Sequence, residues 1–227
     1  MLDAKSYHPI ATSINQKLNE IAQAYTSGIM TSSEIKKITS DIIVSEILKH
    51  QEIKKNIEQQ KVLNLFAYTG GASLAAAAAG AETYHVDSIK QVVSWANRNM
   101  ESSQLKDIRW VVEDAVKFVK REVKRGKIYQ GIILDPPAYG HGTDGEKWKL
   151  EEQINEMIFD VLSLLDKQHH FFILNTYSLG FSSLIIENLM QDNLKKAKLE
   201  NIKPEYGELY IPSSTQQKLP LGVYCRF

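Results

Sequence analysis

The stretch Val62–Asp87, VLNLFAYTGGASLAAAAAGAETYHVD, decides the fold. An apolar run reads as a strand, Tyr68-Thr69-Gly70-Gly71 as a turn, the alanine-rich run as a helix, and ETYHVD as a second strand ending on one carboxylate. Backbone at a glycine turn can approach a ligand closely because no Cβ intervenes, and an acid at the tip of the next strand can accept from both hydroxyls of a ribose. This plan suits a nucleoside. The plain alternatives are a tight turn without a ligand and an N-cap at Asp87 for the helix opening at Ser88.

Working outward, the same alternation continues. Strands are predicted near 62–67, 82–86, 108–112, 129–134 and 169–175, with helices near 72–79, 88–100, 114–125, 148–165 and 181–197. Repeated βα units predict a mostly parallel, doubly wound sheet with helices on both faces. Two further extended stretches, 207–211 and 221–226, have no helix between them and suit an antiparallel pair at one edge. Upstream, Ile10, Ile14, Leu18, Ile21 and Tyr25 recur at helical spacing, and Thr31 with Glu34 forms a capping box before Ile35, Ile38, Ile42, Ile43 and Ile47. Residues 1–60 therefore read as a short helical segment and 61–227 as the catalytic or binding domain. Packing on that domain is the simplest use of the two helices, and dimerisation the alternative.

Composition bounds the rest. The chain has 227 residues, 43% of them hydrophobic, enough to bury a full core. Lys+Arg and Asp+Glu are both 27, so any attraction for a polyanion must be local. One dense basic stretch exists, Lys117, Lys120, Arg121, Lys124, Arg125 and Lys127, which reads as a solvated helix face or, less simply, a phosphate contact. The only cysteine, Cys225, excludes an internal disulfide and a cysteine-based metal site, and is read as a small buried residue. No apolar run approaches the roughly 18 residues of a membrane span. A cytoplasmic protein is expected.

The candidate site lies at the strand tips. Glu113-Asp114-Ala115 follows the third strand, where Asp114 either caps the next helix or accepts from a purine amine. Asp135-Pro136-Pro137-Ala138-Tyr139-Gly140 follows the fourth and is the most specific motif. Two prolines fix φ twice and remove two N–H donors, which makes a stiff, carbonyl-rich wall with an acid before it and an aromatic after it. Such a wall suits a planar group held by hydrogen bonds and stacking. The glycine-rich run His141–Trp148 is expected to be a mobile lid, with Trp148 anchoring the helix it begins and His141 exposed. Asn175-Thr176-Tyr177-Ser178 ends the fifth strand beside the same crevice, while His169 and His170 at its start are read as structural.

Taken together, NLFAYTGG, VDS, VEDA, DPPAYG and NTYS occur in the order found in class I S-adenosylmethionine-dependent methyltransferases. From Val62 onward the chain resembles that class, and more narrowly the bacterial group related to ribosomal RNA large-subunit methyltransferases. The resemblance implies a Rossmann-like sheet of seven strands with the last antiparallel. It implies S-adenosyl-L-methionine at Phe66, Tyr68, Thr69, Gly70 and Gly71, ribose at Asp87 beside Ser88, and adenine at Asp114 beside Ala115. The reacting group would lie at Asp135, which also borders the cofactor, and at Pro136 and Tyr139, with substrate bordered by Pro137, His141, Asn175 and Tyr177. The implied reaction is methylation of a nucleobase nitrogen in RNA of ribosomal type, without a metal. Relatives that make 5-methylcytosine use a cysteine nucleophile near motifs that here read DPPAYG and NTYS, so covalent activation of a pyrimidine carbon is not expected. A non-catalytic cofactor-binding module is the main alternative. A nicotinamide-dependent oxidoreductase would need a G-x-G-x-x-G turn after the first strand, where this chain has Tyr68-Thr69-Gly70-Gly71.

Overall fold

A computed structural model describes residues 60–142, 145–178, 180–212 and 217–227. The predicted helical segment, and any dimerisation through it, lies outside the described residues.

Five strands run parallel in the order β3, β2, β1, β4, β7: Lys61–Leu65 (β1), Glu82–Asp87 (β2), Ile108–Val112 (β3), Gly131–Leu134 (β4) and Phe171–Thr176 (β7). Between β4 and β7 a small separate hairpin forms from Tyr139–His141 (β5) and Lys147–Lys149 (β6). The chain then adds Glu205–Pro212 (β8) at the edge and Lys218–Arg226 (β9) between β7 and β8, antiparallel to both. The edge pair predicted from the sequence is thus present, with the final strand inside the sheet and β8 outside it. Arg226 Nη2 reaches both oxygens of Glu205 at 2.8 Å, which pins the first pair of the β8–β9 ladder.

Alternation within each strand distributes the core to both faces. Leu63, Leu65, Ile132, Leu134, Phe172 and Leu174 point to one side, where they meet helices Ala115–Lys124 (α3), Leu150–Ser163 (α4) and Ser183–Lys196 (α5). Their neighbours Val62, Ile133 and Ile173 point to the other, against Gly71–Ala78 (α1). Ala72, Ala75 and Ala76 are small enough to let α1 lie close to the sheet. Helix Lys90–Ser102 (α2) joins this layer through buried Val93 and Ala96. No helix among the described residues is long and apolar enough to cross a membrane.

Register sets the position of the site. Leu65 is level with Val86 and Leu134, Val86 with Val111, and Leu134 with Leu174. The residues after these strand ends therefore emerge along one edge. The chain turns to opposite sides of the sheet from β1 and β4, and ligands of open α/β sheets bind in the crevice at such a switch point.

Candidate active site

A cavity of about 360 Å³ occupies that crevice. Asp87 from β2, Asp114 after β3 and Asp135 after β4 all line it, together with Phe66 and Tyr68 from the first turn. Ser88, Ala115, Pro137, Tyr139, His141 and Tyr177 complete the predicted residues on its wall. Thr69, Gly70, Gly71, Pro136 and Asn175 are not on the lining. Pro136 and Asn175 are buried, the latter in β7 opposite Tyr224.

The first turn is held in an unusual shape. Phe66 and Tyr68 both have left-handed backbone, φ 56° and 49°, which costs an L residue about 1–2 kcal/mol. Asp87 contributes to holding it there. Tyr68 N–H donates to Asp87 Oδ2 at 2.9 Å, and Ile89 N–H donates to Oδ1 at 3.0 Å. The carboxylate thus ties the loops after β1 and β2 together, and helix α2 begins beyond it at Lys90 with Ile89 as N-cap. An ionised carboxylate has about four acceptor positions, so two remain for a ligand. Asn99 Nδ2 also donates to Thr69 O at 3.0 Å.

Beneath the turn lies a buried polar chain that the sequence does not reveal. Asn64 Nδ2 donates to Ser73 Oγ (2.9 Å), and Ser73 Oγ lies 3.0 Å from His85 Nδ1. It links β1, α1 and β2. Gly70 sits above it with φ 87°, and an added Cβ would come within 3.0 Å of Ala96 Cβ. Helix packing and backbone sign both require glycine here, in addition to the close approach of a ligand expected from the sequence.

Asp114 is an N-cap as well as a wall residue, accepting from Lys117 N–H at 2.9 Å. Asp135 is only 3% exposed, deep in the cavity. The far wall is the β5–β6 hairpin, where the sequence suggested a mobile lid. Trp148 is the reason for its order. Its indole is buried, tilts against Phe66 at 5.0 Å between ring centroids, and donates from Nε1 to Pro137 O at 2.7 Å. The proline-rich wall and the first turn are thereby clamped together. Leu150 N–H donates to Ala138 O (3.0 Å), so the helix Trp148 was expected to begin starts two residues later. Gly140, Gly142 and Gly145 do have G-x-G-x-x-G spacing in the sequence, but Gly140 lies in β5 and α4 opens only at Leu150.

Ile89, Gly140, Gly142 and Trp148 also line the cavity, and none was assigned to it from the sequence. Ile89 is 48% exposed, an apolar side chain at the mouth that only its position after Asp87 could have flagged. The basic stretch on α3 is largely used within the fold: Lys117 pairs with Glu146, Arg121 with Glu113, Lys120 with Glu156 at 2.7 Å and Arg125 with Glu122 at 3.1 Å. His170 Nδ1–H donates to Asp166 O (2.8 Å) and the ring packs edge-on against Phe227, a structural role. Burial pushes the Cys225 thiol well above its ordinary range, so it is no nucleophile at neutral pH.

Known proteins share this fold. A family model described as conserved hypothetical protein 95 matches residues 39–156. The chain belongs to that family. Its fold is that of the class I S-adenosylmethionine-dependent methyltransferases. A crystal structure of a SAM-dependent methyltransferase from Agrobacterium tumefaciens superposes with a TM-score of 0.74 at 34% identity, over 83% of this chain and 62% of that one. Among curated relatives, ribosomal RNA large subunit methyltransferase I of Salmonella arizonae is 33% identical over 89 residues, 38% of this chain and 22% of the relative. Ribosomal RNA large subunit methyltransferase K/L of Hahella chejuensis is 38% identical over 96 residues, 41% of this chain and 13% of the relative. This member of the conserved hypothetical protein 95 family thus spans under a quarter of the length of these two relatives.

Proposed function

We propose that the chain binds S-adenosyl-L-methionine in the crevice and transfers its methyl group to a nucleobase nitrogen in RNA of ribosomal type. The observation that carries the reading is the convergence of Asp87, Asp114 and Asp135 on one cavity at the switch point. The residues suit the cofactor. Asp87 retains acceptor capacity for a ribose, Asp114 stands two residues past the end of β3 for an adenine amine, and Ile89 offers an apolar surface to the base between them. The strained turn at Phe66 and Tyr68 borders the end where the methionyl group would lie. The relatives' names support the RNA, and that substrate would place the protein in the cytoplasm.

S-adenosylmethionine supplies a methyl already activated on a sulfonium, so the protein has mainly to position and desolvate the acceptor. Asp135 would accept from the acceptor amine, fix its angle and balance the positive charge that develops on it. Pro137 keeps the carbonyl wall rigid through its bond from Trp148. Tyr139, 69% exposed at the rim, offers a face on which the entering base can stack. No residue of this chain has to form a covalent intermediate.

Calorimetric titration with S-adenosylmethionine tests the binding, and incubation with methyl-labelled cofactor and fractionated cell RNA, followed by nucleoside mass spectrometry, tests the transfer. Cofactor binding and label on a base nitrogen are expected. Absence of binding up to millimolar cofactor would remove the reading. Binding without transfer to RNA, DNA or protein would leave a non-catalytic module.

A further inference from the structure

We infer that the outer face of the β5–β6 hairpin is the surface over which an unpaired RNA strand lies as it delivers its base to the cavity. The inference rests on the proposed function and extends it to the part of the substrate beyond the acceptor base.

The hairpin's two faces differ in kind. Gly140 pairs with Trp148, and this inward pair packs on Pro137 and Phe66. The alternate positions point outward. Tyr139 is opposite Lys149 and His141 opposite Lys147, and all four are exposed. Directly opposed side chains lie about 5 Å apart at Cβ, so two rings and two ammonium groups share one small surface. That surface is continuous with the mouth, because Tyr139 and His141 also line the cavity.

Two considerations select a single-stranded nucleic acid as the occupant. Asp135 is buried at the bottom of the crevice, and a base inside a duplex would have to leave its stack to reach it. Alternating aromatic and cationic groups bind such strands by stacking bases and contacting phosphates. Overall charge is balanced, so position decides: the hairpin sets Lys147 and Lys149 directly opposite His141 and Tyr139, two rings that line the mouth, whereas Lys120 and Lys124 of α3 do not line the cavity. Lys149 is 2.7 Å from Glu152, but both side chains are more than half exposed, so the pair is weak enough to be exchanged for a phosphate.

The test uses the full chain without cofactor and a fluorescein-labelled single-stranded oligoribonucleotide of mixed sequence, read by anisotropy over a range of salt. Lys147→Gln/Lys149→Gln is expected to weaken binding by roughly tenfold, and to flatten the salt dependence by about 0.7 in log–log slope for each phosphate no longer neutralised. Lys120→Gln/Lys124→Gln, which removes the same charge from α3, should bind like the parent protein. Calorimetry should show the hairpin variant's affinity for S-adenosylmethionine unchanged. Unaltered affinity and slope in the hairpin variant would overturn the inference, as would an equal loss in the α3 variant. A parent protein that binds the cofactor but not the oligonucleotide, or that labels protein and not RNA, would overturn it while leaving a methyltransferase. Failure to bind cofactor would count against the proposed function alone, since the anisotropy measurement does not use it.

Discussion

Gly70→Ala separates two costs that the first turn imposes. Gly70 has φ 87°, and a methyl there would meet Ala96 Cβ at 3.0 Å and Leu74 Cδ1 at 3.1 Å. The backbone sign alone costs an alanine about 1–2 kcal/mol. Leu74 can rotate, but Ala96 is fully buried on α2 and has no rotamer to give, so α1 and α2 must move apart. Such overpacking adds about 1–3 kcal/mol, for a total of about 2–5 kcal/mol. Gly126 is the internal control. It has φ 61° but nothing within 4 Å of an added Cβ, so Gly126→Ala should lose only the backbone share, about 1–2 kcal/mol. Urea unfolding of both variants, compared at a common m-value, gives the difference directly. Should Gly70→Ala be no less stable than Gly126→Ala, the claim that helix packing demands this glycine is wrong.

Other consequences can be checked alongside. Ser73→Ala removes the hydroxyl between Asn64 and His85 and takes this partner from two buried groups, at about 1–3 kcal/mol each; a total loss below about 1 kcal/mol in urea unfolding would mean that this chain does not brace β1, α1 and β2 together. Asp166 accepts from the backbone N–H of His169 and Gln168, which holds its carboxyl below the usual range. The stability it adds should be complete above the ordinary carboxylate pKa and disappear as pH falls through the depressed one, so the gap to Asp166→Ala closes in acid; a gap independent of pH would refute the assignment. Conversely, burial and then Glu156 raise the Asp160 carboxyl, so Asp160→Asn should gain stability over the parent once pH exceeds that raised value, and should match it in acid. Asp135→Ala should abolish methyl transfer and keep cofactor affinity within about tenfold, or about 1.4 kcal/mol; undiminished turnover would remove Asp135 from the chemistry.

The strands and helices were legible because their signals are local. Apolar runs of strand length, helical spacing and the cap at Asp114 depend on neighbours a few residues away. The strand tips followed from the same pattern, which is why Asp87, Asp114 and Asp135 could be named beforehand. The hairpin was missed for a related reason. Strands of three residues carry too little alternation to read, and the glycines around them resemble a loop. The burial of Trp148 against Phe66, 82 positions earlier in the chain, and the pairing of Glu146 with Lys117 hold that segment, and neither contact can be read from local sequence.

From its residue order, then, this protein is committed to alternating strands and helices with acids at successive tips, since each of those choices is made by short-range sterics and periodicity. Placing β9 between β7 and β8, giving Asp87 its two backbone donors, pairing the α3 cations with Glu113, Glu122, Glu146 and Glu156, and turning one side of a hairpin outward at the cavity mouth all depend on groups far apart in the chain. Their partners are decided by which surfaces can be buried together, and that choice exists only once the whole sheet has formed.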